Sequence, residues 1–168
     1  MRYTIKHTVN TDVETFWNRL FLDEAFNRAL FVDFLGYVAF SLQHEAPAAD
    51  GTIVRRLDAT PKNELPELAK KLLGVKALAI SEQGTFDPTA RKYVGHASVI
   101  GSKKLAVDYE LFAEPRGDKT CERVAVIQDT VKVPGLGTLI EAAIQKATRE
   151  NYDLSANFSN RWLEQQGL

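Results

Sequence analysis

The chain has almost none of the residues that make covalent or metal staples. Its 168 residues include one cysteine, Cys121, and three histidines, His7, His44 and His96, far apart in the sequence. A single cysteine excludes an internal disulfide, and the scattered histidines offer no zinc-ligand spacing. Neither a metal nor a cofactor is expected. Long apolar runs are missing as well. The longest nearly apolar stretch, Ala29 to Leu42, is broken by Asp33 and is too short to span a bilayer. The opening residues, MRYTIKHTVN, put charge where a signal peptide needs an apolar segment. No sign of charge dominates: 21 Lys and Arg face 22 Asp and Glu, and no basic stripe runs along the chain. That argues against nucleic acid as a main partner. A cytoplasmic, soluble protein is the simplest expectation, with residues 1–168 forming a single domain. A chain of this size buries roughly 70% of its unfolded surface, so its core needs no staples.

What the sequence does have is a long amphipathic stretch at its C-terminal end. Wound at 100° per residue from Gly137 to about Glu164, it places Ile140, Ala143, Ile144, Ala147, Leu154, Phe158 and Trp162 on one stripe. Charged and amide residues take the rest of the cylinder. Ala143 and Ala147 are small where a packed face would carry Leu or Ile. Asn151 falls at the centre of the stripe, where an amide needs a partner. Both features suggest that a cavity separates this helix from whatever it covers.

The rest of the chain alternates with a period of two. Arg2 to Val9 forms a first strand. Asn10 or Thr11 caps a short helix to Leu20, and a second helical piece runs from Asp23 to Leu35, closed by Gly36. Strands follow over Tyr37–Glu45, Thr52–Thr60, Ala77–Phe86, Lys92–Ile100, Lys104–Ala113 and Thr120–Val133, with turn residues between them. A short inserted helix, within PKNELPELAKKLLG, interrupts the series. Consecutive strands with short turns and segregated helices predict an α+β fold. A curved seven-stranded antiparallel sheet wrapped around the long C-terminal helix would bury that helix's stripe.

That order of elements resembles the START-like helix-grip superfamily (SRPBCC), which includes lipid-transfer domains, plant pathogenesis-related allergens and polyketide cyclases. The closer resemblance is local. The junction VKVPGLGTLIEAAI, the helix end NRWLEQ and the insertion ELPELAKKLLG are similar to an uncharacterised bacterial branch of the superfamily. Gly135-Leu136-Gly137 departs slightly from that branch, in a way that affects the turn more than the cavity. The resemblance implies a fold and an internal cavity, often for an apolar ligand. It implies no defined activity, because the superfamily hosts many.

Strand parity supplies the polar candidates. Arg55 shares a face with Ile53 and Leu57, Glu82 with Ile80 and Phe86, and Asp129 lies between Ile127 and Val131. If these faces are concave, the three charges enter a half-buried interior, where they must pair or bind a ligand's polar head. A bulge or a register shift would put them in solvent instead. With the apolar positions, the candidate ligand-binding set is Phe40, Arg55, Glu82, Val107, Tyr109, Ile144, Ala147, Asn151 and Leu154. Tyr93 is a further phenol, His44 a strand-end imidazole without a visible carboxylate partner. Cys121 lacks the electropositive setting of a reactive thiolate.

The preferred function is a binding or carrier protein for a small, largely apolar molecule such as a fatty acid, isoprenoid or polyketide-like compound. A cyclase- or dehydratase-type enzyme using Arg55, Glu82, His44 or Tyr109 is the alternative, and a ligand-free regulatory interaction module is another. The insertion, Glu64 to Gly74, reads as a lid over the cavity or as a helix docked against the core. Its Lys70 and Lys71 would keep it solvated or let it touch an anionic membrane surface during ligand loading.

Overall fold

Period-two alternation builds seven strands: β1 (Arg2–Val9), β2 (Ala39–His44), β3 (Ile53–Thr60), β4 (Ile80–Asp87), β5 (Lys92–Val99), β6 (Leu105–Gly117) and β7 (Thr120–Val131). They form one antiparallel sheet in the order β1-β7-β6-β5-β4-β3-β2. The structure, a computed structural model, describes residues 1–62 and 67–168. The first strand joins the last, Tyr3 opposite Ile127, so the meander is closed onto its own beginning by a contact between distant segments.

Two short helical segments carry the chain from β1 at one edge to β2 at the other. Helix α1 (Val13–Thr15) is capped by Asp12, whose carboxylate accepts from the Thr15 amide at 2.9 Å, not by Asn10 or Thr11. It widens into π-helical turns over Phe16–Phe21, where the Leu22 amide reaches the Trp17 carbonyl. Helix α2 (Glu24–Arg28) is capped by Asp23 in the same way and widens over Ala29–Phe34. Gly36, at φ 71°, ends it as the sequence predicts.

The inward faces of these segments and of one half of the sheet make the dense core. Trp17 lies 4.5 Å from the Phe86 ring, and Phe16, Leu20, Tyr93, Leu111, Ala125 and Ile5 surround them, all buried. At roughly 25 cal/mol per Å² this buried surface is the main stabilising term.

Helix α4 (Gly137–Gln166) lies over β1 and β7. At about 1.5 Å per residue it is about 45 Å long. Its stripe differs from the expected one. Asn151 and Ala147 are exposed and Leu154 is 44% exposed. The inward line instead runs through Ile144, Thr148, Tyr152, Ser155, Ala156, Ser159 and Leu163, about one residue further round. The cause is Arg123, buried on β7. Its guanidinium donates to Ser155 Oγ at 2.9 Å and to the Tyr152 carbonyl at 2.8 Å. A buried cation needs such acceptors, and that need sets the helix's rotation against the more apolar stripe. Phe158 and Trp162 are used too, against Phe26 and Phe34.

Of the inserted segment, helix α3 (Glu67–Leu73) is described, whereas Glu64, Leu65 and Pro66 lie outside the described residues. The C-terminal end of α3 is tied to the β5–β6 turn: Ser102 Oγ donates to the Leu73 carbonyl at 2.6 Å and Lys104 Nζ to the Leu72 carbonyl at 2.8 Å.

Candidate functional site

Antiparallel register places side chains on the concave face in rows that cross the strands. One row reads His44, Arg55, Gly84, Gly95, Tyr109, Ile127 and Tyr3. The next reads Leu42, Leu57, Glu82, Ala97, Val107 and Asp129. Arg55, Glu82 and Asp129 therefore all face inward. The two glycines are there for a steric reason. A Cβ on Gly84 would lie 2.3 Å from the Tyr93 ring, and one on Gly95 2.6 Å from Tyr109. Without Cβ atoms at both positions, the two phenol rings lie across the sheet and reach its centre.

There they meet a charge pair. Arg55 is 3% exposed; its Nη1 donates to Glu82 Oε1, and the Tyr93 hydroxyl donates to the same oxygen at 2.9 Å. Arg55 Nη2 donates to Asn27 Oδ1 at 3.2 Å, and the guanidinium sits 4.6 Å above the Phe21 ring. Asn27 is held in turn by the Leu20, Phe21 and Asp23 carbonyls. Burial works against the Arg55 charge, but Glu82 and the nearby phenols outweigh it and raise its pKa. Burial, and then the Glu82 charge, push the Tyr93 and Tyr109 phenols up, so both stay protonated donors at neutral pH.

Three polar atoms of this cluster have no hydrogen-bond partner among the described residues: Arg55 Nε, Glu82 Oε2 and the Tyr109 hydroxyl. Around them the concave face changes character. Toward Phe86 and Leu111 it is fully buried. Toward the other end, Phe40, Leu42, Ile80, Ala97 and Val107 are half-buried, as are Ile140 and Ile144 on α4. The result is a half-open apolar trough with a polar floor, in place of the enclosed cavity expected from the sequence. Two open recesses, of about 230 and 340 Å³, are lined mainly by convex-face residues such as Gln43, Arg56, Val94 and His96, although Glu82 also borders the first and Tyr109 the second.

The candidate residues therefore divide. Arg55, Glu82 and Tyr109 converge on one point, and Phe40, Val107 and Ile144 line the trough beside it. Ala147, Asn151 and Leu154 are on the outer side of α4. His44 is exposed at the edge strand; burial and the facing Arg55 charge lower its pKa, so it is neutral at pH 7. Sequence reasoning missed Asn27 and Tyr152. Tyr152 stacks under Arg123 at 4.9 Å, and its phenol pKa is raised by burial. Neither carried a motif; only the tertiary fold brings them to the charges.

Asp129 forms a separate feature at the β1–β7 edge. It is 1% exposed, Tyr3 donates to its Oδ1 at 3.5 Å, and its buried Oδ2 has no partner among the described residues. Burial raises its pKa. Among the described residues no group of His, Cys, Asp and Glu is arranged to hold a metal ion, and no helix is long and apolar enough to cross a membrane.

Comparison with known proteins agrees with the architecture. Three solved structures superpose on nearly the whole chain. The Zhui aromatase/cyclase from Streptomyces sp. R1128 matches with a TM-score of 0.65 at 13% identity, covering 100% of this chain and 96% of that one. A START superfamily protein from Mycobacterium smegmatis gives 0.61 at 12% identity, covering 98% of both chains. The di-domain ARO/CYC StfQ of the steffimycin biosynthetic pathway gives 0.64 at 12% identity, with 99% of this chain on 52% of that one. The fold is thus the START-like helix-grip fold. No curated protein matches the sequence. A family model described as "Protein of unknown function (DUF2505)" matches residues 4–163, and the chain belongs to that family.

Proposed function

We propose that this DUF2505 protein binds a small, largely apolar molecule in the trough between α4 and the concave face of the sheet. The observation that carries the reading is the floor of the trough. A carboxylate oxygen of Glu82 and the phenol of Tyr109, both without a partner among the described residues, lie among half-buried apolar side chains. Apolar walls contribute about 25 cal/mol per Å² of ligand surface removed from water. The polar pair sets orientation: a ligand hydroxyl accepts from Tyr109 and donates to Glu82. The fold shared with a START superfamily protein and with aromatase/cyclases supports a ligand of this class. Fatty acids, isoprenoids and polyketide-like compounds that carry a hydroxyl all fit the description.

A second reading, an enzyme of the cyclase or dehydratase kind, is favoured by one observation. Arg55 and Tyr93 both donate to the same Glu82 oxygen, the convergence an acid–base or electrostatic site requires. Native mass spectrometry of freshly purified protein tests the binding reading. A bound mass that is retained by the parent and lost from Tyr109→Phe and Val107→Asp supports it. A parent that takes up no hydroxylated lipid or polyketide from a panel overturns it. Release of a ligand altered by loss of water would favour the enzyme.

A further inference from the structure

The end of the molecule toward which the trough opens has a surface unlike the rest. The strand ends Ala39, Thr60, Ile80, Val99, Leu105 and Val131 all lie at this end. Helix α3, the β5–β6 turn and the β7–α4 junction lie at its rim. They are joined by the Ser102–Leu73 and Lys104–Leu72 hydrogen bonds and by the Lys132 amide on the Lys104 carbonyl at 2.7 Å.

Among the described residues, five of the nine large apolar residues that the fold leaves exposed gather here. They are Val38, Leu68, Ile100, Leu136 and Leu139, with Leu68 67% and Leu139 69% exposed. Charge is as uneven. Around α3 the chain carries Lys62, Lys70, Lys71 and Lys76; the two turns add Lys103, Lys104 and Lys132. Over residues 61–79, 100–104 and 132–140 that makes seven of the protein's 21 Lys and Arg, against Glu64 and Glu67, two of its 22 Asp and Glu. A protein with a net charge of −1 thus concentrates cations at one end, around exposed leucines.

We propose that this end docks on an anionic lipid bilayer. Leu68, Ile100, Leu136 and Leu139 enter the headgroup–acyl boundary, and Lys62, Lys71, Lys76, Lys103 and Lys132 rest among anionic headgroups, while Lys70 is paired with Glu67 and Lys104 with the Leu72 carbonyl. Lysine suits such a boundary, because its flexible stem lies along apolar surface while its ammonium stays in the polar layer. Clustered lysines on a neutral protein match the negative surface potential of an anionic leaflet. The exposed leucines distinguish this surface from a merely solvated basic face, which would not keep large apolar groups in water. Docking in this orientation sets the open end of the trough against the membrane, so an apolar ligand passes between bilayer and protein without crossing water. That purpose rests on the binding reading above; the membrane contact itself does not.

Co-sedimentation of the full chain with phosphatidylcholine vesicles, with or without about 30% phosphatidylserine, tests the contact. The protein is expected on the serine-containing vesicles only, and to leave them as salt is raised toward about 1 M, where screening acts within about 3 Å. Reversing three cations (K71E, K103E and K132E together) lowers binding about tenfold or more, and Leu139→Asp lowers it severalfold. A control reversal at the far end, K6E with K119E, leaves it unchanged. Absence of binding to anionic vesicles overturns the proposal, as does equal loss from the control. A stable dimer that Leu139→Asp dissociates would also overturn it, in favour of self-association. Native mass measurement on the same samples keeps the two readings apart. Ligand retained without vesicle binding sinks only the membrane contact, and vesicle binding by a protein that takes up no ligand sinks only the binding reading.

Discussion

Gly95 and Tyr109 face each other across β5 and β6, and a Cβ added to Gly95 would lie 2.6 Å from the Tyr109 ring. The same Cβ would lie 2.7 Å from Tyr93. Both rings are wedged over a strand that has no side chain at this point. Gly95→Ala is therefore expected to destabilise the protein by about 1–3 kcal/mol through overpacking. Urea denaturation measures this, and unchanged stability would mean that the rings move aside freely.

The pair of Arg55 and Glu82 makes a second prediction. Glu82→Gln keeps the shape but leaves a guanidinium that is 3% exposed without its counter-charge. Removing one member of a buried pair costs about 3–5 kcal/mol, and the lower figure is expected because Glu82 opens onto the trough. Replacing both, with Arg55→Met and Glu82→Leu, should recover much of the loss. A single variant as stable as the parent would contradict the pairing.

Asp129 gives a pH dependence of defined sign. Its folded pKa is raised by burial, so the folded state binds the proton more tightly than the unfolded chain does. Stability contributed by this group is greatest below the unfolded value of about 3.9. It falls as pH rises through the window between that value and the raised one, then stays level. Asp129→Asn removes the burden. The variant should melt higher than the parent at pH 7, and the advantage should disappear by about pH 3. Thermal melts across that range decide; a parent that is more stable at pH 7 would refute the account.

Cys121 is fully buried, and burial pushes its thiol up to about 11. Thiolate is the reactive form, so native protein at pH 8 should resist iodoacetamide. Labelling should rise with denaturant along the global unfolding curve. Labelling of the native protein at the rate of a free thiol would show that β7 opens locally.

The sequence could be read for local structure because each strand meets its neighbour through a short turn. Alternation fixes which residues share a face, and so Arg55, Glu82 and Asp129 were legible as sharing faces with apolar neighbours, but whether those faces were concave was not. It could not be read for the rotation of α4. A stripe chosen by hydrophobicity puts Asn151 inside, whereas the buried Arg123 needs the hydroxyl of Ser155 and the carbonyl of Tyr152. That requirement comes from a strand about thirty residues earlier and leaves no mark on the helix's own pattern.

By itself, then, the sequence determined the order of elements, the α+β class and the parity of the charged strand residues, since these follow from periods of two and 3.6 and from turn chemistry. Only the tertiary structure decided which charges meet, how far the trough closes and where the lysines gather. No basic stripe exists along the chain, because the cations of the open end come from three separate segments. Side chains from β3, β4, β5 and β6 make the polar floor in the same way, by register across the sheet. Those properties depend on distances between residues far apart in sequence, which local periodicity does not encode.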